Sequence, residues 1–379
     1  MGAVAWHGAR VYYRGDITDL VLDAVRPLFE RLERSVVLAY HAPGWRRGPH
    51  LQMNVLCDLE VYDSVVRPSL EECIGSYLRQ HPGPTTLDGE WTARQLAKRA
   101  ELELSPEPYW PLADPNTIRF ESTAHFGVTD PVQMDLLTRF LSATTPLSFT
   151  MLEEVRRGRT VESVAYDLLI ATAHTMCKGP GGVPALVHGF AAFRGHAEGF
   201  IAACGDAEGM RSRLDGLYQS RRAALIRRLD RVIAAVDHED PELPMVRPWV
   251  EVATPFRDEA HRLLAGGAMS LPRPGHHGVS SDILRQAWID NSEVLSTIRD
   301  SEVVRRYLYE DPDFQPYRVM LSYTYLHLRR LGLAAPQRFA LCHLAANAVE
   351  DRFGGSALQK LRSVAAGGSG AQATGGGRP

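Results

Sequence analysis

Apolar and polar residues alternate at four places in the first third of the chain, and beyond it apolar residues recur at three- and four-residue steps. The sharpest alternation is Leu51, Met53, Val55 and Cys57 with Gln52 and Asn54 between them and His50 just ahead, which predicts a strand with an apolar and a polar face. A cationic turn, Trp45-Arg46-Arg47-Gly48-Pro49, leads into it, because Gly48-Pro49 interrupts any helix. Arg46 and Arg47, followed by His50, Gln52 and Asn54 on the polar face, form a row able to hold a polar, carbonyl-rich ligand. The same alternation equally describes a half-buried strand with a solvated back. Strands are also predicted over 6–13 and 35–41, and an extended piece at 117–122 can rejoin the sheet.

Helical spacing places a helix over 20–32, kinked or restarted at Pro27, and another after Pro68 that ends at His81-Pro82-Gly83-Pro84. A short helix over 93–104 and a Pro-rich connector at 105–111 follow. From Asp130-Pro131, an N-cap with proline at the first helical position, the pattern is almost wholly helical, with segments at 206–236, 249–265, 282–299, 317–331 and 336–353. Gly332 reads as a helix stop and Pro336 as a restart. The fold class is α+β: a mixed sheet in the N-terminal third packed against a mainly helical C-terminal two-thirds. One domain over 1–360 comprises a mixed α/β part at 1–125 and a helical part at 126–360, and the Gly/Ser/Ala-rich 361–379 reads as a flexible tail.

The 379 residues suffice for a sizeable core, and a net charge of −3 gives no overall attraction to nucleic acid. Five cysteines, widely spaced and without a Cys-x-x-Cys pair, argue against a disulfide framework or a structural zinc site. The N-terminus lacks signal-peptide character and no apolar run approaches the ~20 residues of a membrane span, so cytoplasmic residence is expected. Nucleotide-loop, metal-helix and nucleophile-elbow motifs do not occur. Lys178-Gly179-Pro180-Gly181-Gly182 is either an anion cradle or a mobile loop, and His276-His277 reads as a surface pair rather than metal ligands.

Two helical constellations carry possible chemistry. Phe193, His196 and Phe200 share one face with Glu198 further round, making His196 either a satisfied core residue or a proton shuttle. Arg318, Ser322 and Tyr325 fall at i, i+4 and i+7, offering a cation and two hydroxyls on one side; the same row can instead cap neighbouring loops.

On these residues the chain resembles a known family. Trp6 with Tyr12-Tyr13, the phrase Gly48-Pro49-His50-Leu51, and the ordered run Tyr317-Arg318, Tyr325, Leu331-Gly332-Leu333, Arg338-Phe339, Cys342-His343 and Val349-Glu350 are similar to the C-terminal domain of class I lantibiotic dehydratases. More narrowly they resemble its stand-alone relatives, the thiopeptide pyridine synthases, over nearly the whole chain to about Gly354. Glutamate-eliminating members carry a Tyr-Glu-Arg-Tyr-Gly-Gly type run. Here the region reads Ile118-Arg119-Phe120-Glu121-Ser122-Thr123-Ala124-His125-Phe126-Gly127, a departure that speaks against elimination.

The resemblance implies an enzyme that joins two dehydroalanines of a precursor peptide by formal [4+2] aza-cycloaddition, losing water and the leader peptide to give a pyridine macrocycle. Its partners would be that precursor, leader plus dehydrated core, and other maturation enzymes, with neither nucleic acid nor membrane. Proton transfer and positioning need no cofactor and no metal. Local geometry and resemblance together make Tyr325 and Ser322 donors to the reacting amide, His196 a proton relay and Arg318 a carbonyl-orienting cation. Arg46, Arg47, His50, Gln52 and Glu198 would bind substrate. The rivals are a glutamate-eliminating lyase subunit of a split dehydratase, a non-catalytic leader-binding scaffold and a helical regulatory module.

Overall fold

Val25-Arg26-Pro27 and Val66-Arg67-Pro68 lie inside helical stretches, where a proline has no N–H for the ladder and crowds the carbonyl four residues back. In the computed structural model, which describes residues 3–86, 89–102, 108–121, 128, 130–178, 186–238, 240–271 and 292–373, both are relieved in the same way. A five-residue π segment precedes each, Val21–Val25 with the Arg26 N–H donating to the Val21 carbonyl, and Tyr62–Val66 with Arg67 donating to Tyr62. The helix expected to kink at Pro27 thus widens and continues as Arg26–Leu32.

The strands are β1 (Ala5–Tyr12), β2 (Leu38–Gly44), β3 (His50–Cys57) and β4 (Thr117–Phe120), in the order β2-β3-β1-β4. All three pairings are antiparallel, which corrects the expected mixed sheet. The chain turns straight back from β2 into β3, and β3 inserts beside β1, so β1 and β2, which run parallel, never become neighbours. Arg47 (φ 61°) and Gly48 (φ 114°) make that turn, closed by the Gly48 N–H on the Trp45 carbonyl at 3.0 Å.

The expected solvated back of β3 does not exist: His50, Gln52 and Asn54 are only 3%, 9% and 1% exposed. Register explains it, because Tyr12, Arg10 and Gly8 of β1 and Gly44, Ala42 and Tyr40 of β2 flank them on the same face. On the other face Met53 and Val55 meet Leu28, Phe29, Leu32, Val66 and Leu70, as the alternation predicts.

The chain divides into two compact units, Met1–Arg159 with His327–Gly332, and Thr160–Leu326 with Leu333–Pro379. In the first, Asp130 caps the Pro131–Ala143 helix as expected, accepting from the N–H groups of Val132 and Gln133. Buried Arg330 donates to the Leu141 carbonyl and to the hydroxyls of Thr144 and Thr145, tying the end of that helix to the start of Thr145–Arg156. Burial pushes its pKa down to about 9, and it remains cationic at neutral pH.

The second unit is helical. Val161–Met176 is buried on nearly every side, with Leu186–Ala202, Ala207–Asp237, Val246–Ala265 and Ala335–Phe353 against it. Gly189 allows a close approach, since a Cβ there would stand 3.0 Å from the Ala173 Cβ. The helix Phe314–Arg330 stops at Gly332 (φ 92°), and Pro336 opens the next, both as predicted. Of the helix expected over 282–299, the described part is Glu293–Asp300; its first half lies outside the described residues, as do His276-His277 and most of the Lys178–Gly182 and Ile118–Gly127 runs. Helix Ala357–Ala373 enters the segment expected as a flexible tail from 361, because Leu361 is fully buried and anchors it. Among the described residues no helix is long and apolar enough to cross a membrane.

Candidate active site

The Arg318, Ser322 and Tyr325 row lies on the Phe314–Arg330 helix as the spacing requires, with Ser322 exposed, Arg318 half-buried and Tyr325 buried. On Leu186–Ala202, His196 meets it: Nδ1 of His196 is 2.7 Å from the Tyr325 hydroxyl, and the ring centroids are 5.4 Å apart. The same hydroxyl stands 3.2 Å from Sγ of Cys342 on Ala335–Phe353. A phenol has one proton, so Tyr325 donates to one of these neighbours and accepts from the other. When it donates to His196, Nε2 carries the imidazole proton outward. When it accepts from Nδ1–H, Nε2 presents a lone pair.

His196 is exposed to solvent, yet enough protein surrounds its ring to push its pKa down to about 4, with the charges of Arg338 and Arg318 adding to the effect. The consequence is a neutral imidazole at physiological pH, able to accept a proton. Burial also raises the Tyr325 phenol well above its usual range and pushes the Cys342 thiol up to about 11, so both partners are neutral. The constellation can accept, hold and return one proton without forming a stable ion.

Of the five residues expected to bind substrate, Glu198 lies in the second unit and the other four in the first. Glu198 is committed to a bidentate pair with Arg211 at 2.6 and 2.7 Å and accepts from Ser292 at 2.9 Å; the 100° step per residue turns it away from His196 into the interior. Arg46, Arg47, His50 and Gln52 belong to the first unit. Arg47 donates through Nε to the Pro111 carbonyl at 3.0 Å, and His50 bonds the Gly48 carbonyl through Nδ1. Arg46 lies over Trp45. His50 and Gln52 are buried, so neither offers the open polar face the alternation suggested.

Arg338 and Cys342 were given no role by sequence reasoning. Their i, i+4 spacing puts them on one helix face, but nothing local indicates that this face meets Tyr325, 17 residues before Cys342. Among the described residues no group of three His, Cys, Asp or Glu side chains could hold a metal ion. A cleft of about 410 Å³ lined by Ala235, Leu243, Pro244 and Pro248, with Asp240, Arg247 and Glu251, contains none of these residues.

The family described as lantibiotic biosynthesis dehydratase C-term matches residues 6–349. Among solved structures, the pyridine synthase TbtD from thiomuracin biosynthesis is 34% identical with a TM-score of 0.75, covering 92% of this chain and 99% of its own. TsrL, at 22% identity and a TM-score of 0.69 over 96% of this chain and 99% of its own, shows the same fold. No curated protein matches. With a family match over nine-tenths of its length and a structural relative over almost all of it, the chain belongs to the lantibiotic biosynthesis dehydratase C-terminal family.

Proposed function

We propose that this protein matures a ribosomal peptide as a pyridine synthase, joining two dehydroalanines by formal [4+2] aza-cycloaddition and releasing water and the leader peptide as a carboxamide. The observation that carries the reading is the 34% identity to a pyridine synthase along 99% of that protein's chain. The neutral, solvent-accessible His196 supports it, since the reaction needs an amide N–H removed and returned as a proton at neutral pH.

His196 accepts the amide proton through Nε2 while Tyr325 holds the ring by Nδ1. Ser322, exposed one turn from Tyr325, donates to the substrate, and Arg318 orients a carbonyl. Tyr325 therefore acts as a positioning residue for His196, since its own hydroxyl is occupied on both sides. Much of the acceleration comes from holding two alkenes of one peptide in reacting geometry, which reaches ~7–11 kcal/mol in the best intramolecular cases.

Two substrates test the reading. A leader-bearing precursor that already contains dehydroalanines should lose the mass of water plus amidated leader, and full-length precursor should bind more tightly than core peptide alone. A glutamylated seryl peptide should be unchanged. Dehydroalanine formation from the glutamylated peptide, with no change in the first substrate, would establish the lyase instead, and binding without any mass change would establish a scaffold.

A further inference from the structure

Other arginines of the helical unit have carboxylate partners: Arg194 pairs with Glu350, Arg211 with Glu198 and Arg228 with Asp167. Arg318 and Arg338 differ. The Arg318 guanidinium lies 4.5 Å over the Tyr309 ring, and that of Arg338 lies 4.5 Å over Tyr325 and 4.7 Å over Phe339, which itself stacks on Phe200. Stacking fixes the plane of a guanidinium but leaves its N–H edge free. Among the described residues no carboxylate pairs with either, and Nη1 of Arg318 and Nε of Arg338 are buried without a hydrogen-bond partner. Buried donors of this kind are normally satisfied, so two of them beside one imidazole mark a place for an acceptor supplied by a ligand. Arg338 covers the ring of Tyr325, whose hydroxyl is 2.7 Å from Nδ1 of His196, and Arg318 lies two turns before Tyr325 on the same helix face.

We propose that Arg318 and Arg338 together form an oxyanion site for the amide oxygen of the reacting dehydroalanine, with an imidate as its ligand. The inference rests on the pyridine-forming reading and adds Arg338 to the catalytic groups. As Nε2 of His196 takes the amide proton, the N–H bond breaks and its electron pair spreads over N, C and O. Negative charge gathers on the oxygen facing the guanidinium groups. The imidazolium then returns the same proton to that oxygen, giving the imidic-acid azadiene and neutral His196 with no change of oxidation state. Because the starting amide is neutral, the pair stabilises the imidate more than the bound substrate, and its effect belongs in kcat rather than KM.

Acetate, a planar anion that shares the charged oxygen of an imidate, serves as a probe independent of turnover. Titrated into the full chain and followed by the His196 NMR signal, it should saturate in the wild type and fail to do so in Arg318→Gln and Arg338→Gln. With the dehydroalanine precursor, Arg338→Gln should lower kcat by ~100-fold or more with KM within about threefold, and Arg338→Lys should recover part of the loss. Melting curves of both variants check that each is folded. An unchanged kcat in Arg338→Gln, a rise in KM alone, or no saturation by acetate would each overturn the oxyanion site while leaving pyridine formation standing. Arginine-dependent acetate binding in a wild type that makes no pyridine would overturn both the imidate assignment and the pyridine-forming reading, and would identify a carboxylate site.

Discussion

His196 differs from an ordinary surface histidine because one nitrogen is fixed by a buried phenol while the ring stays open to solvent. Replacing Tyr325 by Phe removes that hold and leaves Nδ1 without its partner, so kcat should fall by ~10–100-fold with precursor affinity unchanged. A Tyr325→Phe enzyme with normal kcat would show that the ring needs no positioning. With its pKa near 4, His196 should place the acidic limb of the rate profile near that value, leaving kcat/KM flat around pH 6.5, where an ordinary histidine would titrate. Glu198→Ala should cost ~3 kcal/mol in a denaturant melt, because Arg211 loses its bidentate partner; a raised KM at unchanged stability would instead restore the substrate-binding role. The Arg318, Ser322 and Tyr325 row was legible because helical period alone fixes it. Cys342 and Arg338 were not, since their meeting with Tyr325 depends on how two helices pack.

Among the elements, the alternation in β3 located a strand correctly but misjudged its polar face. Periodicity shows which residues share a side, while burial depends on strands 40 residues away in the sequence, and Tyr12 and Arg10 reach that face only through the register. The turn before β3 shows the reverse, since Gly48-Pro49 announced it and the φ of 114° at Gly48 explains why glycine is needed. A Cβ at Gly48 would find space, its nearest neighbour being Leu112 Cδ2 at 3.7 Å, so the penalty is of the backbone alone. Gly48→Ala should therefore lower stability by ~1–2 kcal/mol, measured by chemical denaturation; an unchanged midpoint would mean that the turn relaxes to negative φ. Pro27 and Pro68 were read as boundaries or kinks, and the π segments that absorb them leave no trace in apolar spacing.

At the scale of the whole molecule, four histidines are held neutral by burial: His41 and His327 lie well below their ordinary range, His50 near 4 and His343 lowered as well. Each has a folded pKa below its unfolded value of ~6.5, so the stability it leaves intact above that value is lost as pH falls toward the folded pKa, where only the unfolded chain takes up protons. The melting temperature should thus drop between pH 6.5 and 4, and equal melts at pH 7 and pH 5 would contradict this. Family membership was legible from an ordered set of short phrases, and the helical two-thirds from period and caps. The division into units was not, because the short stretch His327–Gly332 clusters with residues far earlier in the chain. The most direct measurement is a single-turnover mass analysis of a dehydroalanine-bearing precursor with wild type and with His196→Gln. The wild type is expected to release water and amidated leader, with the variant at least ~100-fold slower though precursor binding is intact. Conversion by His196→Gln at close to the wild-type rate would contradict a neutral imidazole as the base of the reaction.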